Sequence, residues 1–371
     1  MKNLLESIDE LLLMGPGPSC VPHQVYAALS APTLGHLDPY FLHIMDSLKE
    51  KLRRILNTKN NLTIPISGTG SAGMEASFVN LVEHEDKVLI IINGVFGMRM
   101  QEVATRLGAR VDVLEFPWGT PVIPEVVEKK LRQESYKIVA VVHGETSTGV
   151  RNPVAEIGSL LDGGDSIYLV DAVTSLGGLD IRMDDWNIDV LYGASQKCLS
   201  CPPGLSPISF NEKAMAKLNG RKSKVPNWYL DISLIAKYWG KNRVYHHTAP
   251  INMIYALYQS LFLIFEEGPE KVFQRHKETH EALVNGLEEL GLKMLVDEPY
   301  RLPMLNAVCI PEGVDDLVVR RRLRDDFKIE IGAGLGPLAG KAWRIGLMGH
   351  TARKENISRF LAAMEEVLQQ G

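Results

Sequence analysis

Cysteine is scarce in this sequence, which has four cysteines among 371 residues. So low a count does not support a disulfide-rich secreted scaffold, and it is typical of proteins from a reducing compartment. We therefore expect a cytoplasmic protein. Long apolar runs are missing too, and even the leucine-rich start, MKNLLESIDELLLMG, has acidic residues among its leucines. This start resembles neither a membrane span nor a secretory signal, so we expect no membrane contact.

An excess of positive charge is also absent. Lysine and arginine number 40 against 45 aspartates and glutamates, which leaves a net charge of −5. This balance does not favour a protein that coats nucleic acid or binds an anionic membrane. The hydrophobic share of 45% and the charged share of 23% are those of an ordinary globular protein, and the length predicts about two domains.

Apolar runs of strand length alternate with segments of helical period through the first 200 residues, which predicts an α/β domain. The predicted strands are Leu62–Ile66, Val88–Ile92, Val111–Leu114, Ile138–Val142, Ile167–Val170 and Val190–Tyr192. The predicted helices are Ala72–Val82, Phe96–Leu107 and Pro124–Arg132. Several strands are continuous apolar runs, as in KIVAVV and SIYLV, which is typical of parallel strands buried on both faces.

The pattern changes near residue 250. The stretch from Ile251 to Leu290 predicts one or two long helices with a break at Gly268-Pro269, and shorter strands and helices follow it. We interpret this part as a smaller α+β domain. The predicted organisation is an N-terminal arm over residues 1–14, a large domain over 15–265 and a small C-terminal domain over 266–371.

Residues 68–73 read GTGSAG, a G-x-G-x-x-G match that follows a predicted strand and opens a predicted helix. A dinucleotide site needs an acidic residue at the end of the next strand, and Asn93 stands there instead. The remaining functional interpretation is an anion site, because backbone N–H groups at a helix start bind anions. Thr69 and Ser71 add hydroxyl groups to it. The alternative is a tight glycine turn with a serine cap.

Two ionisable residues follow predicted strands. Asp171 ends the strand SIYLV, and Lys197 follows a later strand in the segment GASQK. A buried carboxylate needs a cationic partner, which a pyridinium ring provides, and a desolvated lysine can stay neutral for Schiff-base chemistry. Taken singly, Asp171 is explained by a turn cap and Lys197 by a solvated loop. Together with the anion site they stand in the order found in pyridoxal phosphate (PLP) enzymes.

At this point the sequence resembles the class V, fold-type I PLP-dependent aminotransferases of the alanine–glyoxylate and serine–pyruvate group. The motifs that carry the resemblance are MGPGPS (14–19), HGETSTGV (143–150), VDAVTSLGG (170–178), GASQK (193–197), YHHTAP (245–250) and RIGLMG (344–349). The resemblance implies a large, mainly parallel-sheet domain with a smaller C-terminal α+β domain. It also implies PLP as cofactor, amino acids and 2-oxo acids as substrates, and a homodimer with shared active sites. The apolar stripe Leu4–Leu13 of the N-terminal arm is expected to lie across the other subunit of this dimer; the alternative is that it packs on its own domain.

The resemblance implies a role for each matching residue. Lys197 is expected to form the Schiff base and carry protons, and Asp171 to pair with the pyridine nitrogen. Further cofactor contacts are implied for Thr69, Gly70, Ser71, Phe96, Thr146, Val173 and Gln196, and for Tyr245 and Thr248 from the neighbouring subunit. Arg344 is expected to bind the substrate carboxylate through two parallel hydrogen bonds, a geometry that suits guanidinium. Gly17 and His36 are expected beside the substrate, although His36 is equally well explained as a structural histidine in a turn.

No metal site is expected. Cys198 and Cys201 form a C-x-x-C match, but no second pair or neighbouring histidine completes a ligand set. His246 and His247 point to opposite faces if their segment is a strand, so they are not expected to share a metal.

The predicted activity is transfer of the amino group of alanine or serine to glyoxylate, which gives glycine by a ping-pong mechanism. A ureidoglycine–glyoxylate aminotransferase is the nearer alternative. A cysteine desulfurase is a more distant one, because it needs a mobile cysteine, and the late cysteine Cys309 lies in the strand-like segment NAVCI. A binding protein on a retained PLP fold is disfavoured, since Lys197 and Asp171 are both present.

Overall fold

The computed structural model describes residues 3–369 of the chain. These residues form fifteen β-strands and twelve α-helices. The strands are β1 (Leu12–Leu13), β2 (Leu62–Ser67), β3 (Lys87–Ile92), β4 (Arg110–Glu115), β5 (Ile138–Val142), β6 (Gly144–Glu145), β7 (Val150–Arg151), β8 (Ile167–Asp171), β9 (Val190–Tyr192), β10 (Leu205–Phe210), β11 (Lys293–Met294), β12 (Leu305–Cys309), β13 (Ile329–Glu330), β14 (Gly332–Ala333) and β15 (Ala342–Gly346). The helices are α1 (His23–Leu29), α2 (Pro39–Ile55), α3 (Gly70–Leu81), α4 (Val95–Arg106), α5 (Pro124–Gln133), α6 (Val154–Leu160), α7 (Glu212–Asn219), α8 (Ile232–Trp239), α9 (Ile251–Glu267), α10 (Pro269–Glu289), α11 (Asp316–Phe327) and α12 (Lys354–Gln369).

The largest sheet has seven strands in the order β2-β10-β9-β8-β5-β3-β4. Its strands are parallel except β10, which runs antiparallel to both of its neighbours, β2 and β9. All six strands predicted in this region are present, and the predicted mainly parallel sheet is confirmed. The sequence analysis did not predict β10, which carries Pro207 opposite Pro65 in the ladder. Proline lacks an N–H and is unusual inside a sheet, so the pattern did not favour a strand.

Strands β5 and β8 are buried along their entire lengths. Because successive strand side chains point to opposite faces, both faces of the sheet are covered here, as the continuous apolar runs predict. Helix α3 packs on β9 and β10, and α4 packs on β3 and β4. We call this sheet and its packed helices the large lobe; its hydrophobic core extends from Val25 to Val272.

The predicted helix break at Gly268-Pro269 is also present, because α9 ends at Glu267 and α10 begins at Pro269. Gly268 has a φ of 95°, a left-handed conformation that glycine adopts without steric cost, and Pro269 suits the first helical position. No helix within residues 3–369 is long and apolar enough to cross a bilayer.

A second, antiparallel sheet has the order β11-β12-β15-β14 and packs with α11, α12 and part of α10 around its own hydrophobic cluster. We call this part the small lobe. Strand β1 pairs in parallel with β13, and the buried side chains of Leu12 and Met14 belong to the small-lobe cluster. These residues therefore pack within their own chain. Leu4, Leu5 and Ile8, in contrast, are exposed, and Asp9 pairs with Lys328 at 2.8 Å. The domain boundaries stay predictions.

Candidate active site

Several of the predicted site residues lie at one edge of the large sheet. Asp171 is the last residue of β8, Lys197 follows β9, and helix α3 begins just after β2. Because β2, β8 and β9 run in the same direction, their carboxyl ends meet at this edge, which is where open α/β sheets bind ligands.

Lys197 is 7% exposed. Burial lowers the pKa of its amine to about 8, because the charged form loses hydration. Nζ donates a hydrogen bond to the carbonyl of Pro16. The preceding loop is close to this amine, since a Cβ added at Gly17 would lie 2.9 Å from Lys197 Nζ. Glycine at position 17 therefore leaves space for the lysine side chain, and the expectation that Gly17 lies at the site agrees with its position.

Asp171 is buried, and each of its carboxylate oxygens accepts one hydrogen bond. Oδ1 accepts from the backbone N–H of Val173 and Oδ2 accepts from the hydroxyl of Tyr192, both at 2.8 Å. Burial raises the pKa of Asp171 to about 7, and these two hydrogen bonds oppose that rise. The sequence analysis missed Tyr192, because nothing in the sequence indicates that β9 places this hydroxyl on Asp171.

The start of helix α3 has the features of an anion site. Thr69 is its N-cap residue, but the threonine side chain makes no capping hydrogen bond, so the N–H groups of the first turn are not satisfied by it. A Cβ added at Gly70 would lie 3.0 Å from side-chain atoms of both Val173 and Ala194, which shows how closely the backbone approaches them here. Gln196 carries a buried Oε1 without a hydrogen-bond partner. Thr69 and Ser71 are exposed at this helix start.

Glu145 is a functional candidate that the sequence analysis missed, although it stands in the quoted motif HGETSTGV. Its fully buried carboxylate accepts hydrogen bonds from Ser147 N at 3.0 Å, Ser147 Oγ at 2.6 Å, Phe96 N at 3.1 Å and the N–H of Gly97. A carboxylate at a helix N-terminus interacts favourably with the helix dipole. Gly94 permits this approach, because a Cβ there would lie 2.4 Å from Glu145 Cγ. Glu145 thus fixes the first turn of α4, which carries Phe96.

Phe96 and Val173 are the residues expected to flank the cofactor ring, and both side chains are half-buried. The guanidinium of Arg99 lies 4.8 Å from the centre of the Phe96 ring, a cation–π contact that holds this ring in place. Val173 is held by its backbone bond to Asp171. Each of the two residues thus has one contact to another residue of the large lobe.

Arg344 reaches the site from the small lobe. It lies on β15 and is 7% exposed. Nε donates to the carbonyl of Ala333 at 2.7 Å, and Nη1 donates to the carbonyl of Thr146 at 3.2 Å. Burial lowers its pKa to about 10, and the charge of Glu145 opposes this change. A buried, oriented guanidinium of this kind is suited to bind a carboxylate.

Three of the predicted site residues, Tyr245, Thr248 and His36, lie together in a separate cluster. Tyr245 is 52% exposed, and its hydroxyl is 3.1 Å from Thr248 Oγ1. The ring of His36 packs on the ring of Tyr245 with centres 4.9 Å apart, and the His36 carbonyl accepts a hydrogen bond from Tyr238. These side chains form a surface cluster of their own, which we call the Tyr245 cluster.

The competing motifs have structural explanations. Cys198 and Cys201 are buried, and burial raises the pKa of both thiols to about 12. His246 and His247 lie in a loop and not in a strand, with their Nδ1 atoms 2.7 Å apart. Within residues 3–369 no cluster of three or more histidine, cysteine or acidic residues is arranged to hold a metal.

Asn93 stands where a dinucleotide site needs an acidic residue. Its side-chain amide forms hydrogen bonds with Thr120 and Asn152 and so stabilises the fold.

The residues of this site fit PLP. The uncapped helix start suits a phosphate, Asp171 suits the pyridine nitrogen, and Lys197 is an amine with a lowered pKa. When bound, PLP supplies a carbonyl carbon that reacts with amines and a protonated ring that withdraws electrons from the substrate. The fold and the site together therefore define a PLP-dependent enzyme of fold type I.

Comparisons with known proteins identify the family. The aminotransferase class-V family model matches residues 19–360, and the chain belongs to this family. A crystal structure of an alanine–glyoxylate aminotransferase from Nostoc sp. superposes with a TM-score of 0.96 and 48% identity over 98% of this chain and 96% of that one. An (S)-ureidoglycine–glyoxylate transaminase from Bacillus subtilis is 41% identical over 96% of this chain and 90% of its own length. An alanine–glyoxylate aminotransferase from Mus musculus is 42% identical over 98% and 89%. The protein is a PLP-dependent aminotransferase, as the motifs predict.

Proposed function

We propose that this enzyme transfers the amino group of alanine or serine to glyoxylate, which produces glycine. The observation that carries the proposal is that a buried guanidinium, Arg344, lies close enough to a buried amine, Lys197, for its charge to lower the pKa of the lysine further. An α-amino acid and a 2-oxo acid share a carboxylate next to the reacting carbon, so one arginine can orient both substrates in turn. The similar relatives that use alanine and glyoxylate support this choice of substrates.

Each site residue has a proposed task. Lys197 Nζ would move the transferred proton, away from Cα of the donor in the first half-reaction and onto Cα of the newly formed amino acid in the second, which a desolvated amine with a pKa of about 8 can do. Asp171 holds the proton on the pyridine nitrogen. Val173 and Phe96 would flank the cofactor ring, and the hydroxyl of Thr146 would lie near the oxygen substituent of that ring. The proposed phosphate ligands are Thr69, Gly70, Ser71 and Gln196. Gly17 lies beside the substrate.

Both substrates use the same residues, so the kinetics are expected to be ping-pong. The amino donor leaves as its oxo acid before glyoxylate enters. No separate acceptor pocket is needed for this cycle.

We propose that Tyr245 and Thr248 act in the active site of a neighbouring subunit. Their position supports this: within the chain they bond to each other, and Tyr245 is half exposed. His36 packs on Tyr245 and would be carried to the same neighbouring site. Exposed Trp228 and Val244 adjoin the segment and supply apolar surface for a dimer contact.

Transamination between ureidoglycine and glyoxylate is the second candidate. It is supported by the Bacillus subtilis relative, which is 41% identical to this chain, against 42% for the Mus musculus alanine–glyoxylate aminotransferase. A cysteine desulfurase is disfavoured. Cys309 is paired between Lys293 of β11 and Ala342 of β15, and a thiol held in the middle of a sheet cannot move to a substrate.

A donor screen tests the proposal. PLP-loaded enzyme is mixed in single turnovers with alanine, serine or (S)-ureidoglycine, without an oxo acid, and the visible absorption of the cofactor is followed. We expect alanine or serine to bleach the band fastest and glyoxylate to restore it. Lys197→Ala is the control, expected to retain PLP but to show no bleaching. Rapid bleaching by ureidoglycine alone would select the second candidate.

The absence of bleaching with all three donors would refute both candidates.

For location, we propose the cytoplasm, on the basis of the free thiols of Cys20, Cys198, Cys201 and Cys309. Fractionation of the source cells tests this proposal.

A further inference from the structure

A buried phenol lies beside the carboxylate proposed to bind the pyridine nitrogen. Tyr192 ends β9 directly opposite Asp171 at the end of β8, and its hydroxyl donates to Asp171 Oδ2 at 2.8 Å. Both side chains are buried. The two strands thus place a neutral donor on the one carboxylate in this edge of the sheet that the cofactor chemistry needs in its ionised form.

The other groups around Asp171 differ in whether they favour its ionised or its protonated form. The N–H of Val173 donates to Oδ1, and the positive charge of Lys197 also favours the carboxylate form. Burial and the negative charge of Glu145 favour the protonated form. The Tyr192 bond therefore opposes a strong desolvation effect, since hydrogen bonds to a charged form stabilise that form.

Tyr192 is suited to be a permanent donor. Burial and the neighbouring Asp171 raise the pKa of its phenol far above the usual value, so the hydroxyl keeps its proton throughout the working pH range. With the backbone bond on Oδ1 and the phenol on Oδ2, the carboxylate cannot rotate freely. Each oxygen still has a lone pair for another donor.

We propose that Tyr192 is a positioning residue that keeps Asp171 ionised and aims its carboxylate at the pyridine nitrogen of bound PLP. The proposal rests on the role of Asp171 in the proposed function. Tyr192 acts only through Asp171, and its loss should therefore change how the cofactor binds as well as how fast the enzyme works.

Tyr168 offers a matched control. It is a second fully buried tyrosine of the same sheet, on β8, and its hydroxyl donates to the carbonyl of Val154 at 2.9 Å, a bond that involves no site residue. Tyr192→Phe and Tyr168→Phe each remove one buried hydroxyl, so both test the general cost of losing a buried hydrogen bond. Only Tyr192→Phe removes the donor to Asp171.

The experiment measures the affinity of the apoenzyme for PLP, by fluorescence quenching, between about pH 5.5 and 9. Because the Tyr192 bond stabilises ionised Asp171, its loss should raise the pKa of Asp171. The affinity for PLP should then decrease at a higher pH when the solution is acidified. We call the pH at which half of this affinity is lost the acid midpoint. For Tyr192→Phe we expect this acid midpoint to rise by about one pH unit and the PLP Kd at pH 7 to increase about tenfold. Tyr168→Phe should keep the wild-type midpoint.

A nearly isosteric variant covers the case in which Tyr192→Phe does not fold. 3-Fluorotyrosine placed at position 192 keeps the ring and the hydroxyl and makes the phenol a stronger donor. The acid midpoint should then move in the opposite direction, to lower pH. An unchanged midpoint in both Tyr192 variants, or equal shifts in Tyr192→Phe and Tyr168→Phe, would overturn the proposal.

Asp171→Asn separates this proposal from the proposed function. The asparagine variant should bind PLP weakly at every pH, without an acid midpoint. If it binds PLP like the wild type, the role of Asp171 itself is wrong. If Asp171→Asn loses affinity while both Tyr192 variants behave like the wild type, only the role of Tyr192 is wrong.

Discussion

At the scale of single residues, burial is the main influence on the ionisable groups of the site. It lowers the pKa of Lys197 to about 8 and that of Arg344 to about 10, and it raises that of Asp171 to about 7. In each case the charged form loses hydration. Glu145 adds a second buried acid, so two basic groups face two acidic groups. This balance allows a small change in one group to alter the protonation of the others.

Arg344→Lys tests the carboxylate-binding role at this scale. The substitution keeps a positive charge but loses the forked donor geometry. Loss of one charge-assisted hydrogen bond, about 1.5–3 kcal/mol, should raise the KM for both the amino donor and glyoxylate roughly ten- to hundredfold. The PLP absorption spectrum should stay normal. Each half-reaction is measured separately by stopped-flow absorption.

Arg320→Lys is the control for this prediction. Arg320 makes a forked pair with Asp316 on the partly exposed surface of α11, so the same chemical change should leave KM unaltered. A defect limited to one half-reaction, or loss of PLP in place of substrate affinity, would mean that Arg344 has another task.

At the scale of elements, helix α4 connects the cofactor-facing ring of Phe96 to the buried carboxylate of Glu145. The carboxylate accepts backbone N–H groups at the helix start and bonds Ser147, whose hydroxyl in turn accepts from Val95 N at 3.0 Å. Thr146, between these two capping residues, holds Arg344 through its carbonyl. One short loop therefore positions groups proposed for cofactor and substrate.

Glu145→Gln should weaken the hydrogen bonds between residue 145 and the start of helix α4. The amide nitrogen of glutamine must face N–H donors in either orientation, so at least one buried donor loses its partner. Such a loss costs about 1–3 kcal/mol. We expect a lower Tm of the apoenzyme and weaker PLP binding, measured by calorimetry and fluorescence titration.

Asp315→Asn makes the same acid-to-amide change at an exposed helix cap, where Asp315 accepts from Leu317 N and Val318 N at the start of α11. Asparagine caps helices about as well as aspartate, so this variant should change Tm little. If the two variants lower Tm equally, the buried cap has no special role.

At the scale of the whole molecule, the site lies between two lobes. Lys197 and Asp171 belong to the large lobe, while Arg344 belongs to the small lobe. The N-terminal segment adds a further tie, since Ser19 Oγ donates to the Lys197 carbonyl at 2.8 Å. If the exposed Tyr245 cluster acts in a neighbouring site, as proposed, the enzyme is expected to be an obligate homodimer.

Mixing two impaired variants tests the shared site. Lys197→Ala and Tyr245→Ala homodimers should each have little activity. When they are unfolded together and refolded, each mixed dimer should contain one site with Lys197 from one chain and Tyr245 from the other. We expect activity to return toward a quarter of the wild-type level, because half of the dimers are mixed and each of these has one intact site.

No recovery of activity in confirmed mixed dimers would place Tyr245 in the site of its own chain. An active monomer at low concentration, seen by sedimentation with parallel assays, would also contradict the shared site.

Some omissions of the sequence analysis were avoidable. Helix α2 was not predicted, although Asp38 caps it, Pro39 suits its first position, and five apolar residues at helical spacing form its buried face: Phe41, Met45, Leu48, Leu52 and Ile55. Strand β10 was harder to predict, because Pro207 contradicts the usual composition of a strand inside a sheet. Local signals were thus sufficient for α2 and insufficient for β10.

The sequence alone determined the class of fold and the family. Buried parallel strands require continuous apolar runs, and cofactor chemistry requires particular residue types in a particular order, so both are visible along the chain. The tertiary structure alone decided that the Tyr192 hydroxyl bonds Asp171, that Glu145 caps α4 and that Leu12 and Met14 pack in the small lobe. Those contacts depend on strand register and on the packing of distant segments. Neither leaves a periodic or local pattern in the sequence.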